Sequence, residues 1–383
     1  MAEEIIERCR DWIEDFSFPV VSRWKEEHPR GKVIGFFPVY IPLEIIHAAG
    51  MLPVAILGSG SRVEVKQADS RLPSFICSIP RTTLEMGFRG MLDFMDVMLF
   101  LPICDVARNL VQIWNRNLTQ MTTDIFYLPQ NLASRGSIEY LHSEYQRLQG
   151  FLEELSGCKI TPEDLSRSIE VYNRQRGLIR EIYRLRWETP WKLSAADTYA
   201  VLRAGTFLPV EEHIGMLEKV LAWAQGREVK ARDKIRVVLE GSFCEQPPLE
   251  FIESVEDVCY IVEDDFILAF RWLTGDVPQE GDPIQVLARS YRELLSYASI
   301  QHDGRKPKHE GFLEKCRRSG AEAALLSPPK FCEPGLDDQV IFAQALDREG
   351  LPYLSMEFEE KMTTFEQVRL QVETFAESLL FYA

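Results

Sequence analysis

Short runs of consecutive apolar residues alternate along this chain with stretches whose apolar positions recur every three or four residues. The runs "KVIGFFP" (32–38), "LPVAILG" (52–58), "DVMLFLP" (96–102) and "DIFYLP" (124–129) predict strands. Between them "IPLEIIHAAG" (41–50), "ICSIPRTTLEMGFRG" (76–90) and "CDVARNLVQIWNRN" (104–117) predict helices, the first with Pro42 in its opening turn and Gly50 at its end. Strands that are apolar throughout, separated by helices, imply a parallel sheet covered on both faces. Ahead of them the first 30 residues read as one amphipathic helix, with Ile5, Ile6, Cys9, Trp12, Ile13 and Phe16 on one stripe.

From about Ser137 to Gly226 only the helical period persists, with Thr161 and Pro162 marking one helix start. The strand signal then returns at "KIRVVLEG" (234–241), "VCYIVED" (258–264), "AEAALLS" (321–327) and "LPYLSMEFE" (351–359). A last helix is expected from a capping box of Thr363 and Glu366. The predicted fold is α/β: two doubly wound parallel-sheet domains joined by a helical connector. The boundaries are 1–136, 137–230 and 231–383.

The chain has 383 residues, enough for two domains, and a net charge of −16. That charge argues against a nucleic-acid partner. No apolar run is long enough for a membrane span, and the acidic N-terminus lacks the features of a secretory signal, so a cytoplasmic location is expected. The basic stretch "HDGRKPKHE" (302–310) reads as a solvated loop rather than a phosphate site. "LGSGSR" lacks the third glycine of a dinucleotide fingerprint. No phosphate loop, HExxH or GxSxG occurs, and the six histidines lack zinc spacing.

Eight cysteines remain to be explained, and a cytoplasmic chain of this length does not need them as disulfides. In open parallel sheets, ligands bind beyond the carboxyl ends of the strands. Four cysteines fall in such loops: Cys77, Cys104, Cys244 and Cys332. Cys9, Cys158, Cys259 and Cys316 fall on apolar helix faces, a turn and a strand, where a thiol serves as packing. If the domains face each other, three binding-edge thiols converge. Sulfur ligation without histidine suits a soft metal centre, with an iron–sulfur cluster as the natural candidate. Spacing alone leaves open three unrelated buried thiols.

The wording of these segments resembles the benzoyl-CoA reductase/2-hydroxyacyl-CoA dehydratase family. "VIGFFPVYIPLEIIHAAGMLPVAILG" (33–58) is similar to its N-terminal signature. "FICSIPRTTLE", "LPICDVARN" and "PPKFCEPGLDDQVIFAQALDREGLPYLSMEFEE" resemble its three cysteine regions in order, and "EQVRLQVETFAESL" its closing helix. The resemblance implies a 4Fe-4S cluster held by Cys77, Cys104 and Cys332, with one iron open. It implies a homologous iron–sulfur partner subunit, an ATP-hydrolysing iron–sulfur activator fed by ferredoxin, and benzoyl-CoA or a related acyl-CoA as substrate. Length and wording favour the reductase branch, which dearomatises the ring, over the dehydratases. A non-catalytic electron-transfer subunit with a closed cluster is the further alternative.

Tyr40, Glu44 and Glu333 are candidate proton donors by loop position. For Glu44 the competing role is simple stabilisation of a helix first turn. Cys244 is either a fourth ligand or, as the open iron favours, a wall of the pocket. Asp264 and Asp265 are expected to face solvent rather than the cleft.

Overall fold

In the computed structural model, residues 2–297, 303–359 and 362–382 are described. The first strands are β1 (Val33–Phe37), β2 (Leu52–Ala55), β3 (Val97–Phe100) and β4 (Thr122–Ile125). The second set is β5 (Arg236–Glu240), β6 (Tyr260–Asp264), β7 (Ala323–Leu326) and β8 (Tyr353–Ser355). Each set forms a four-stranded parallel sheet, in the orders β2-β1-β3-β4 and β6-β5-β7-β8. The α/β class expected from the pattern is therefore present, and both sheets have the same topology.

The helices ahead of and within the first sheet are α1 (Ala2–Glu14), α2 (Pro19–Glu27), α3 (Leu43–Ala48), α4 (Ser78–Phe88) and α5 (Asp105–Asn117). Between the sheets run α6 (Ser137–Ser156), α7 (Pro162–Glu188), α8 (Ala195–Ala204) and α9 (Val210–Gly226). The second sheet carries α10 (Leu249–Glu256), α11 (Pro283–Leu294), α12 (Lys308–Ser319), α13 (Glu333–Glu349) and α14 (Glu366–Tyr382).

The double covering of the second sheet is visible residue by residue. Val237 and Leu239 of β5 join the large core shared by both sheets and the connecting helices, whereas Val238 joins a smaller core under α12 and α13. Ala323 and Leu325 divide from Ala324 and Leu326 in the same way along β7. Strands with both faces buried read as continuous apolar runs.

Three expectations need correction. The first 30 residues form two helices, not one: Phe18 sits in the left-handed region at φ 51° and Pro19 restarts the chain. The capping box at Thr363 does not form. Helix α14 begins at Glu366, whose carboxylate instead accepts from Arg369 at 3.0 Å. Asp264 and Asp265 are buried, at 0% and 6% exposure, not solvent-facing. Val262 is the extra residue of a bulge in β6, opposite Val237 and Val238 of β5, and Glu263 and Asp264 then end the strand inside the protein.

Candidate active site

A strand order of 2-1-3-4 reverses direction between its first and third strands, and the loops leaving those strands frame a crevice. In the first sheet these loops hold Tyr40, after β1, and Cys104, after β3. In the second they hold Cys244, after β5, and Cys332, after β7. Cys77 follows β2 and precedes α4. The two crevices meet: Cys332, Cys77 and Cys104 all lie near enough for their charge to be felt at the Cys244 thiol, Cys332 most strongly. The four binding-edge thiols thus form one group contributed by both sheets.

Three of these cysteines cap helices. Cys77, Cys104 and Cys332 occupy the positions just before α4, α5 and α13. Helix starts present unpaired N–H groups, which favour a negatively charged sulfur. At Cys104 this contact is made, with the Ala107 N–H donating to Sγ at 3.4 Å. At Cys332 the space beside the sulfur is kept by Gly335, where a Cβ would stand 3.4 Å from Sγ.

The second sheet braces the Cys77 loop through Glu245. Its buried carboxylate accepts from Ser78 N–H at 3.1 Å and from Ser78 Oγ at 2.6 Å. Without a cation, burial pushes the Cys77 thiol well up, and nearby Glu245, Cys332 and Cys104 add to it. Burial likewise raises Cys104, against the Ala107 N–H. Nearby Cys332, then burial, raises Cys244. Such a group stays neutral until a metal centre supplies positive charge.

Among the described residues no set of three His, Cys, Asp or Glu is tight enough for a single metal ion. A cubane cluster holds its protein sulfurs further apart than one ion does, and the donors here are all sulfur. An iron–sulfur cluster fits this donor set on those two grounds.

Beside the thiols lies a cavity of about 750 Å³. Tyr40, Phe243 and Phe270 give it an apolar inner wall; Arg180, Arg184 and Arg318 line it with positive charge. Arg305 and Lys306, read from sequence as a solvated loop, also line the cavity. The rest of that basic stretch divides: Lys308 to Glu310 begin α12, and His302 lies outside the described residues.

The three proton-donor candidates are placed differently. Tyr40 is fully buried in the cavity wall at φ 64°, and its hydroxyl has no hydrogen-bond partner among the described residues. Glu44 is buried on α3 and accepts from Arg176 of α7 at 2.6 Å. Glu333 is exposed in the first turn of α13, next to Cys332. Sequence reasoning missed the buried charges Glu240, Lys315 and Asp264. Asp264 takes Tyr183 Oη at 2.6 Å, Arg186 at 2.8 Å and Arg271 at 2.7 Å. Burial pushes its carboxyl up, but the two guanidinium groups outweigh this and hold it below the usual range. A charged pair ending an apolar strand, as in "YIVED", was the available signal.

The fold and site define a two-sheet α/β protein with a cysteine group at facing switch-point crevices. The chain belongs to the 2-hydroxyglutaryl-CoA dehydratase, D-component, family, whose model matches residues 38–379. It is 42% identical to one of the subunits of benzoyl-CoA reductase from Thauera aromatica, over 382 residues and 99% of each chain. It is 28% identical to the lactoyl-CoA dehydratase beta subunit of Anaerotignum propionicum, over 93% of this chain and 94% of that one. The (R)-2-hydroxyglutaryl-CoA dehydratase beta subunit of Acidaminococcus fermentans is also 28% identical, with 91% and 92% covered. Among the described residues no helix is long and apolar enough to cross a membrane.

Proposed function

We propose that this chain is the iron–sulfur subunit of an ATP-dependent benzoyl-CoA reductase, a cytoplasmic oxidoreductase that dearomatises the ring of benzoyl-CoA. The observation that carries the reading is the convergence of Cys77, Cys104 and Cys332 from both sheets beside a cavity. The 42% identity to a benzoyl-CoA reductase subunit, against 28% to dehydratase subunits, supports the reductase branch.

Cys77, Cys104 and Cys332 would hold a 4Fe-4S cluster and leave one iron without a protein ligand. When bound, the cluster supplies single electrons at low potential. The rest of the chemistry belongs to this chain. The Ala107 N–H steadies the Cys104 sulfur. The cavity seats the acyl group against Tyr40 and Phe243, and Arg180, Arg184 and Lys306 face the phosphates of the thioester's coenzyme. Glu44 positions Arg176 in the same wall. Energy coupling would come from a homologous partner subunit and an ATP-hydrolysing activator that takes electrons from ferredoxin.

A second reading is a closed cluster with Cys244 as fourth ligand in an electron-transfer subunit. The nearness of Cys244 to Cys332 favours it. Anaerobic co-purification with the partner chains, followed by iron and sulfide analysis, tests both readings. The open site requires that Cys244→Ala keep its iron; loss of the cluster in that variant sinks it. A wild-type content well under one cluster per chain sinks both. Turnover of benzoyl-CoA but not of a 2-hydroxyacyl-CoA is the expected result; the reverse assigns the dehydratase branch.

A further inference from the structure

The cavity contains a second titratable group, separate from the thiols. Glu240 ends β5 and Asp265 follows β6, so two neighbouring parallel strands deliver two carboxyls to one place. They are 4% and 6% exposed and both line the cavity. Glu240 accepts from Tyr297 Oη at 2.7 Å and from Lys315 Nζ at 2.6 Å. Asp265 accepts the backbone N–H groups of Gly241 at 3.0 Å and Ser242 at 2.9 Å.

The charges facing this pair are nearly accounted for. Lys315 faces both carboxyls, while Glu263 and Arg271, also near it, are bound to each other. Tyr40 and Tyr297 face Asp265 as neutral hydroxyls. One ammonium between two buried carboxylates leaves one negative charge in excess, and binding one proton removes it. Burial, with Glu240 beside it, pushes Asp265 up to about 8.

Tyr40 supplies an independent sign that something is to be bound. Among the described residues its hydroxyl is fully buried and unpartnered, which is unfavourable. Its left-handed backbone is a further cost. The groups within electrostatic reach are Cys244, Asp265, Asp338 and Glu240, and Asp338 is occupied by Lys308 at 2.9 Å. A hydroxyl kept unpartnered in the wall of a cavity is placed to bond what the cavity holds.

We propose that Asp265 is the stored proton of this cavity, delivered to the bound acyl group through the Tyr40 hydroxyl and replenished through Lys315 beside Glu240. The proposal rests on the reading of the cavity as the acyl thioester's seat. The electron that accompanies each proton would come from the iron–sulfur centre that Cys77, Cys104 and Cys332 would hold; these residues move only the proton. A C–H bond forms on the reduced acyl group as the Tyr40 O–H breaks. The Asp265 O–H then breaks as the Tyr40 O–H re-forms. The Asp265 carboxylate regains a proton from the Lys315 ammonium, which solvent reloads.

Infrared difference spectroscopy on the full chain tests the store without turnover. The expected result is a protonated-carboxyl band at neutral pH that titrates away near pH 8 and is missing in Asp265→Asn. Glu240→Gln removes the neighbouring negative charge and shifts that midpoint to lower pH. Tyr40→Phe keeps the band. In the assembled enzyme it lowers benzoyl-CoA reduction about 100-fold. Absence of the band, its survival in Asp265→Asn, or full-rate reduction by Tyr40→Phe each overturns the proposal. If the wild-type complex fails to bind benzoyl-CoA, the acyl step falls with the functional reading; a missing carboxyl band in the free chain overturns the proton store by itself.

Discussion

The sheet of β1–β4 and the sheet of β5–β8 have one strand order, but one pair of acids in each is held in opposite ways. In the first, Glu85 accepts three backbone N–H groups, from Lys66, Gln67 and Ala68, and a bond from Arg89. Asp96 accepts from Lys25, Lys32 and the Val33 N–H. Burial pushes both carboxyls up, yet these partners outweigh it and hold them below the usual range. In the second sheet, Glu240 and Asp265 are raised by burial and have one ammonium between them. The first unit compensates its acids where they pin loops. The second leaves a proton-holding pair where the strands open into a cavity. One scaffold therefore pins its loops with compensated acids on one side and carries a titrating wall on the other.

The largest expected effect concerns the cysteines that the two sheets share. Cys77→Ala, Cys104→Ala and Cys332→Ala should each abolish iron and sulfide binding by the anaerobically purified complex. Cys9→Ala, a change in a buried thiol on α1, should leave both unchanged. Retention of iron by a variant of either sheet would show that the other sheet holds the cluster without it.

The next effect concerns the helix that grips both units. Helix α7 donates Arg176 to Glu44 of the first and Arg186 to Asp264 of the second, both in buried pairs. Removing one partner of a buried pair costs about 3–5 kcal/mol when the other is left uncompensated. Arg176→Met should reach that range, because among the described residues no other cation is bonded to Glu44. Arg186→Met should cost less, because Asp264 keeps Arg271 and Tyr183. Denaturant midpoints measure the difference; a larger loss for Arg186→Met would mean that the second unit depends more on α7.

Much of this asymmetry was legible in the chain, but not all of it. Strands with both faces buried, such as Val97–Phe100 and Ala323–Leu326, are apolar throughout and were readable. The edge strand β4, "TTDI", is half exposed, so its polar residues hid two positions of the strand. The cysteine loops were readable because they follow apolar runs directly. The acid pair was not, because Asp264 and Asp265 are adjacent charges in the sequence. Both line the cavity, yet one is bonded to Arg186 and Arg271 and the other to the Gly241 and Ser242 N–H groups, and periodicity carries neither set of partners.

The opposite treatment of acids also gives opposite pH slopes of stability. Glu85 has a lowered folded pKa, so its contribution is present above its unfolded pKa and is lost as pH falls through the folded one. Asp265 has a raised folded pKa, so its contribution is present below its unfolded pKa and is lost as pH rises towards about 8. Melting temperatures against pH should therefore lose their acid-side slope in Glu85→Gln and their slope between about pH 4 and 8 in Asp265→Asn. Parallel curves for Asp265→Asn and the wild type would mean that Asp265 ionises normally, and the contrast between the sheets would disappear.

The smallest expected effect separates strain from function at the loops that carry the comparison. Tyr40 and Phe331 both sit at φ 64°, one in each unit, and Phe331 directly precedes Cys332. A bulky residue in the left-handed region costs about 1–2 kcal/mol, and glycine removes that cost. Glycine also makes the unfolded chain more flexible, which costs about 0.5–1 kcal/mol. Phe331 is 43% exposed, so Phe331→Gly gives up little packing. The net effect should be a stabilisation of at most about 1 kcal/mol by chemical denaturation. If the strained turn exists to aim the Cys332 sulfur, the same variant should lose iron to a chelator faster than the wild type despite its greater stability. A variant that is both more stable and equally slow to lose iron would show that Gly335 and the start of α13 suffice to place that cysteine.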